Sequence, residues 1–417
     1  MITFYAIFIW IVYFLFLYLL IFWLLVFLEE GIEDELTQIK QFPQVTVAVP
    51  AYNEEDTVAK TLNSIIKLDY PKDNVEIIVI NDGSKDNTVK VVETTIKENP
   101  GSKILLVNKK NGGKGTALNV ALKLAKGEFF VPLDADSYIR SDALKVIMPN
   151  FENKNVAAVL PLMKIKDPKN FMQRIQWAEY MVNLFYKRLM SILDCVHVAP
   201  GPFSVYRKET LIEIGGFDEN NLTEDLEVTL RLQKNNYKII QVMNTEVYTI
   251  PPDDFKGFYK QRNRWYKGTI INAFNYRKMA FNKDYQDFGF IQMPRILLEG
   301  LFSISAILII GYNSVFKPLA SKLYDFSMVN FNIMPFIKES IRNFYLIDMN
   351  LTQIFFTVVT GIFAGLLIYY AHIQTNEKFS KNSLIAIPSY LLFYSLLSGA
   401  VMFMVFIELI LGKKQKW

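Results

Sequence analysis

No charged residue falls between Ile2 and Leu28. As a helix, the run rises about 40 Å, more than the roughly 30 Å of a bilayer core. It has neither a basic start nor a small-residue cleavage site, so it reads as an anchor rather than a removed leader. Apolar runs at 296–316, 354–371 and 384–411 predict three more spans. The block between is different. Short β-branched runs at 44–50, 75–82, 103–108 and 128–136 alternate with helical patterns near 56–67, 86–97 and 115–125. A further strand at 156–162 and a helical stretch to about 193 follow. Nearly continuous apolar strands separated by helices predict a mostly parallel sheet covered on both faces. In such sheets ligands bind beyond the carboxyl ends of the strands.

Composition narrows the chemistry. A net charge of +4 is too small to imply a nucleic-acid partner, and no nucleic-acid module is present. One cysteine and two histidines exclude a disulfide framework and a Cys/His zinc site, so Cys195 and His197 read as structural. Any metal is therefore held by carboxylates, which suits a hard ion, Mg2+ or Mn2+.

The polar clusters lie at the strand ends: PAYNEEDT, NDGSKDNT, NKKNGGKGTALN and LDADS. Asp86 can cap the following helix, and Gly83 can supply a turn. Gly112 and Gly113 with Lys114 open a helix, where free amides and a lysine suit phosphate; the run is neither a Walker A loop nor a dinucleotide fingerprint. A lone Asp-x-Asp is expected about once by chance in a chain this long. Placed after an apolar strand, however, Asp134 and Asp136 can hold one divalent ion against a diphosphate. Further on, Thr223 can cap a helix whose first turn holds Glu224, Asp225 and Glu227, where acids complement the dipole. The same carboxylates could instead take a proton from an attacking hydroxyl. In QRNRWYKG (261–268), helical spacing sets Gln261, Arg264 and Trp265 on one face and Lys260, Asn263 and Lys267 on another. One reading is an interfacial helix, with Phe255, Phe258 and Tyr266 among headgroups and the basic residues snorkelling. The other is a face of the site.

In this order, AYNE, NDGS, GGKGTALN, DADS, GPFSVYR, TED and QRNRW resemble the glycosyltransferase family 2 synthases, the group containing cellulose, chitin, hyaluronan and poly-N-acetylglucosamine synthases. The match runs from about Val45 to Gly268, and TED followed by QRNRW beside C-terminal spans is much more specific to the membrane-embedded, polymer-forming branch than the first four motifs. The resemblance implies an α/β GT-A nucleotide-sugar-binding domain plus an α-helical transmembrane region with interfacial helices. It implies a donor site at Ala51, Tyr52, Glu54, Asp82, Lys114 and Asp134, with Tyr52, Glu54 and Asp82 near the base, Asp134 by the ribose and Lys114 by the diphosphate. Asp136 would bind the metal, Asp225 beside Glu224 would be the general base, and Gln261 and Arg264 would line the site. Trp265 would lie beneath the terminal acceptor sugar, flanked by Gly201, Pro202 and Phe203.

The implied organisation is an N-terminal transmembrane helix (1–30), a cytoplasmic catalytic domain (31–250), an amphipathic interfacial segment (251–290) and a transmembrane region of about three spans (291–417). The implied activity is inverting, metal-dependent transfer from a nucleotide sugar, UDP-linked in such enzymes, to a growing β-linked polysaccharide in the cell membrane, coupled to secretion. A non-processive enzyme acting on a lipid phosphate or lipid-linked oligosaccharide, and a transporter or receptor with a sugar-binding domain, are the competing readings. Four spans would place Lys413, Lys414 and Lys416 outside, against the positive-inside tendency; an irregular segment near MVNFNIMPFI would reverse this.

Overall fold

The computed structural model describes residues 4–30, 39–328, 351–377 and 381–413. They form two compact units, one built from the N-terminal helix and residues 299–370, the other from 32–298 and 371–417. In the first, α1 (Phe4–Glu30) packs along the helix Leu351–Gln374. Trp10 meets Phe356 edge-on at 5.3 Å, Tyr13 and Thr357 share a 2.9 Å hydrogen bond, and Phe27 lies 4.6 Å from Tyr370.

Among the described residues three helices are long and apolar enough to cross a membrane: Ile7–Glu29, Ile354–Gln374 and Ser383–Ile410. This is a membrane protein. The run 296–316 lies in the helix Met293–Gly311, which passes through a π turn at Tyr312–Phe316 into Lys317–Met328. The irregular segment near MVNFNIMPFI lies outside the described residues beyond Met328, as do Lys414 and Lys416.

The second unit is built on β1 (Val45–Ala51), α2 (Val58–Ile66), β2 (Val75–Asn81), α3 (Thr88–Glu98), β3 (Lys103–Asn108), α4 (Lys114–Leu124) and β4 (Phe129–Pro132). It continues through β5 (Tyr138–Ile139), α5 (Ala143–Ile147), β6 (Val156–Ile165), α6 (Phe171–Ile192), β7 (Val205–Arg207), α7 (Lys208–Glu213), α8 (Glu224–Lys234), β8 (Lys238–Thr249) and α9 (Phe255–Asn275). The eight strands lie in the order β3-β2-β1-β4-β7-β6-β8-β5. Pairing is parallel from β3 to β4 and between β6 and β8. It is antiparallel where β7 joins β4 to β6 and where β5 joins β8. The expected strands and helices of the first half are present within a few residues, because each is a long apolar run with its own period. The sheet is mixed because β7, only three residues long, reverses direction; such a short strand leaves no alternation to read.

Alternate residues of β1 (Val45, Val47, Val49, Ala51) share one buried core with Val58, Leu62 and Ile65 of α2. Burying aliphatic side chains of this kind is worth about 1.5–3 kcal/mol each. It fixes the carboxyl end of β1 beside those of β2 and β4, where the polar motifs begin.

Candidate active site

The loop after β2 is folded by its own aspartate. Asp82, only 4% exposed, accepts the amides of Gly112 at 3.0 Å and Gly113 at 2.8 Å, and pairs with Lys109. The two glycine amides expected to be free for phosphate are thus taken by a carboxylate from the neighbouring strand end. Gly83 does supply the turn: its φ is +76°, and a Cβ there would lie 2.9 Å from the Asn111 nitrogen. Asp86 accepts the Thr88 amide at 3.0 Å, at the start of α3, and the Glu55 amide at 3.2 Å, tying the loops after β1 and β2 together. Ala51 is buried, whereas Tyr52 is exposed and able to cover a base.

Lys114, at the start of α4, binds Asp134 at 2.5 Å and Glu224 at 3.3 Å, so one ammonium joins the DADS and TED segments. Both carboxylates favour the charged amine and hold its pKa well above the usual lysine range despite burial. Gly201 makes room for it, since a Cβ there would lie 2.5 Å from Lys114 Nζ. The GPFS segment reaches this position because β7 pairs beside β4, with the Phe203 amide donating to Pro132 O at 2.7 Å. Gly201 and Pro202 are buried. Phe203, at φ +60°, turns a fully buried ring into the main core, so that ring does not form an acceptor surface. Core packing competes for any apolar side chain near a site, and here it wins.

Asp136 accepts a 3.0 Å hydrogen bond from Ser137. Burial first, and then the nearby charges of Asp134 and Glu54, push its carboxyl up to about 6. Glu54 is likewise raised, chiefly by burial. A buried group of like-charged oxygens is the donor set of a hard divalent cation. Among the described residues no three His, Cys, Asp or Glu side chains sit close enough to cage an ion by themselves. An ion here would therefore share its shell with substrate oxygens.

In the TED turn, Glu224 is 3% exposed and committed to Lys114, and burial raises its pKa. Asp225 is half-buried and accepts the Leu226 amide at 2.8 Å, the more accessible of the two carboxylates. Thr223 does not cap α8 with its side chain; its hydroxyl accepts instead from Asn272 of α9 at 3.1 Å. Asn272 also bonds Asn221 at 3.0 Å. Gly268 permits this contact between α9 and the turn, since a Cβ there would fall 2.3 Å from Thr223 Oγ1.

Gln261, Arg264 and Trp265 are half-exposed on one face of α9, and the positive charge of Arg264 acts on Glu224. For Phe258, Tyr266 and Lys267 the headgroup reading fails. Phe258 is fully buried against Val401 and Val405, with Tyr266 packed on the same cluster. Lys267, 3% exposed, pairs with Glu408 at 2.7 Å rather than snorkelling. Phe255 and Lys260 stay exposed.

Sequence reasoning missed Arg262, which is 1% exposed. Its guanidinium pairs with Glu179 of α6, donates to Gln261 Oε1 at 2.6 Å and lies 4.2 Å from the Trp265 ring centroid. The other Glu179 oxygen accepts the Tyr394 hydroxyl at 2.6 Å. An arginine in a basic stretch gives no sign of burial when its partner lies 83 residues away. Lys187 of α6 was also missed; burial lowers its amine to about 8, with Asp225 opposing the shift.

Residues 46–215 match the model of the family described as Glycosyl transferase family 2. Over 398 residues, 93% of this chain and 90% of the relative, the chain is 26% identical to a poly-beta-1,6-N-acetyl-D-glucosamine synthase of Staphylococcus epidermidis. It is 32% identical over 232 residues, 55% of each chain, to a protein of the same name from Staphylococcus aureus. Among solved structures, the mannosyltransferase PcManGT from Pyrobaculum calidifontis, in complex with GDP-Man and Mn2+, superposes with a TM-score of 0.55 at 19% identity, over 87% of this chain and 94% of that one. That likeness concerns the fold. With the sheet, the strand-end carboxylates and the family match in agreement, residues 46–215 are a glycosyl transferase family 2 domain, and the protein is a glycosyltransferase.

Proposed function

We propose that the protein transfers N-acetylglucosamine from a UDP-linked donor to the end of a growing β-linked polysaccharide, with inversion, on the cytoplasmic side of the cell membrane, and couples synthesis to secretion. The observation that carries the reading is the junction at Lys114. One ammonium bridges Asp134 and Glu224, so the donor-side aspartates and the TED turn converge, and α9 rests on that turn through Gly268 and Asn272. The match with poly-beta-1,6-N-acetyl-D-glucosamine synthases over nine-tenths of both chains supports the substrate class.

In this reading Asp225 removes the proton from the acceptor hydroxyl as its oxygen attacks the anomeric carbon and the bond to the diphosphate breaks. Lys114 and Arg264 offset the charge gathering on the leaving group. A divalent ion, Mg2+ or Mn2+, held by Asp136 with Asp134, would neutralise the diphosphate when bound. Trp265 offers an apolar face to the terminal sugar, with Gln261 beside it, which positions the hydroxyl.

The test is UDP release and product length measured together, with purified protein, UDP-N-acetylglucosamine and either metal. Long β-linked product from the wild type is expected, with metal-dependent turnover lost in Asp136→Ala. Trp265→Ala should lose polymer while retaining donor binding. Single-sugar products on a lipid acceptor, or wild-type polymer from Trp265→Ala, would overturn the reading.

A further inference from the structure

By length and composition the apolar run Ser383–Ile410 is able to cross a membrane. Its contacts argue otherwise. Just before it, Glu377 accepts the indole N–H of Trp177 at 3.1 Å and lies 3.8 Å from Lys164 of β6. At its far end Glu408 accepts from Lys267 at 2.7 Å, Asn263 at 3.1 Å and Tyr259 at 3.2 Å, all on α9. Between the two, Phe393 meets Phe171 of α6 at 6.4 Å, Tyr394 bonds Glu179, and Val401 and Val405 cover Phe258. Residues 377 to 408 thus touch the catalytic unit at both ends and at points between, although a helix of this length rises about 45 Å.

A spanning helix cannot do this. With one end on the catalytic body, its other end lies beyond about 30 Å of hydrocarbon. Nor do the helices it rests on extend that body through the bilayer: α6 carries Arg174, Glu179, Lys187 and Arg188, and α9 carries Lys256, Lys260, Arg262, Arg264 and Lys267. Pro388 and the π turn Tyr390–Tyr394 interrupt the regular helix and give it a place to bend between α6 and α9. The side away from the body is apolar, with Leu384, Leu392, Leu396, Met404 and Ile410 exposed.

We propose that the helix 381–410 lies in the plane of the membrane, its inner side on α6 and α9 and its outer apolar side against lipid, so that both its ends share the side of the catalytic domain. The occupant is lipid because the outer side is continuously apolar and flanks a helix pair rich in lysine and arginine, the pattern of an interfacial segment. The basic residue Lys413 then lies on the expected inner side, without any additional crossing.

Asn376→Cys and Lys413→Cys, both at exposed positions, flank the helix, and Lys85→Cys marks the catalytic domain. Cells expressing each full-length variant are treated with a membrane-impermeant maleimide before and after permeabilisation. The wild type, whose one cysteine is buried, is the blank. All three positions are expected to label only after permeabilisation. Labelling of Lys413→Cys in intact cells, with Asn376→Cys and Lys85→Cys protected, would show a true span and overturn the proposal. An epitope tag after Trp417, scored by antibody in intact and permeabilised cells, reads the same alternative where a cysteine is unreactive. Neither readout depends on which sugar is transferred.

Discussion

Gly268→Ala tests whether the seat of α9 on the TED turn controls catalysis. The added methyl would lie 2.3 Å from Thr223 Oγ1, 2.5 Å from its Cγ2 and 3.0 Å from its Cβ. Ordinary contact is about 3.5 Å, so helix and turn must separate by about 1 Å. Thr223 cannot simply swing away, because it is β-branched and its hydroxyl is held by Asn272 at 3.1 Å. Overpacking of this kind costs about 1–3 kcal/mol, offset by up to about 1 kcal/mol from alanine's better helix propensity. The thermal midpoint should therefore fall only modestly. Catalysis should fall further, since α9 carries Arg264 and Trp265 and the turn carries Asp225. A 1 Å misplacement between them costs up to about 10²-fold in rate. Thr223→Ala removes the two closest atoms, so the double variant should recover part of the loss. The assay is initial-rate sugar transfer at saturating donor, with donor affinity measured separately. Wild-type transfer in Gly268→Ala, or a double variant no faster than Gly268→Ala, would refute the reasoning.

Three further outcomes are expected. Asp225→Asn keeps the side chain's shape but cannot take a proton, so donor binding by calorimetry should persist while transfer drops by about 10²-fold or more. Lys267→Met leaves Glu408 without its ammonium and should cost about 1–3 kcal/mol in detergent unfolding, partly recovered in Lys267→Met/Glu408→Gln, where no unpaired charge remains. Burial pushes the Cys195 thiol up to about 12, so mass spectrometry should find it unmodified by maleimide at pH 8 until denaturant is added.

Much of the sheet and of the polar clusters at its carboxyl edge was legible in the chain itself. Strands β1, β2 and β4 are short apolar runs bounded by polar loops, and parallel strands buried on both faces advertise themselves in this way. Because ligands gather at carboxyl ends, Asp134 and Asp136 after β4 and Lys114 at the start of α4 could be picked out before any coordinates. The apolar runs likewise announced a membrane protein. What composition could not supply was the partner of each polar group. Asp82 folds the glycine loop rather than leaving its amides free, Thr223 serves α9 rather than α8, and Glu224 holds Lys114. Each of these bonds joins segments brought together by the sheet order, and one side chain's hydrogen-bonding capacity is spent wherever the first well-placed partner lies.

The face of α9 shows the division most clearly. Helical periodicity alone grouped Gln261, Arg264 and Trp265 on one side, because a 3.6-residue turn is a local property. Whether the opposite side met lipid or protein was a tertiary matter. Glu179 lies 83 residues upstream of Arg262, and Glu408 lies 141 residues downstream of Lys267, yet these two pairs turn apparent surface cations into buried supports of the site. Charge and hydropathy are read residue by residue, whereas burial depends on what the rest of the chain lays over them, and only folding decides that.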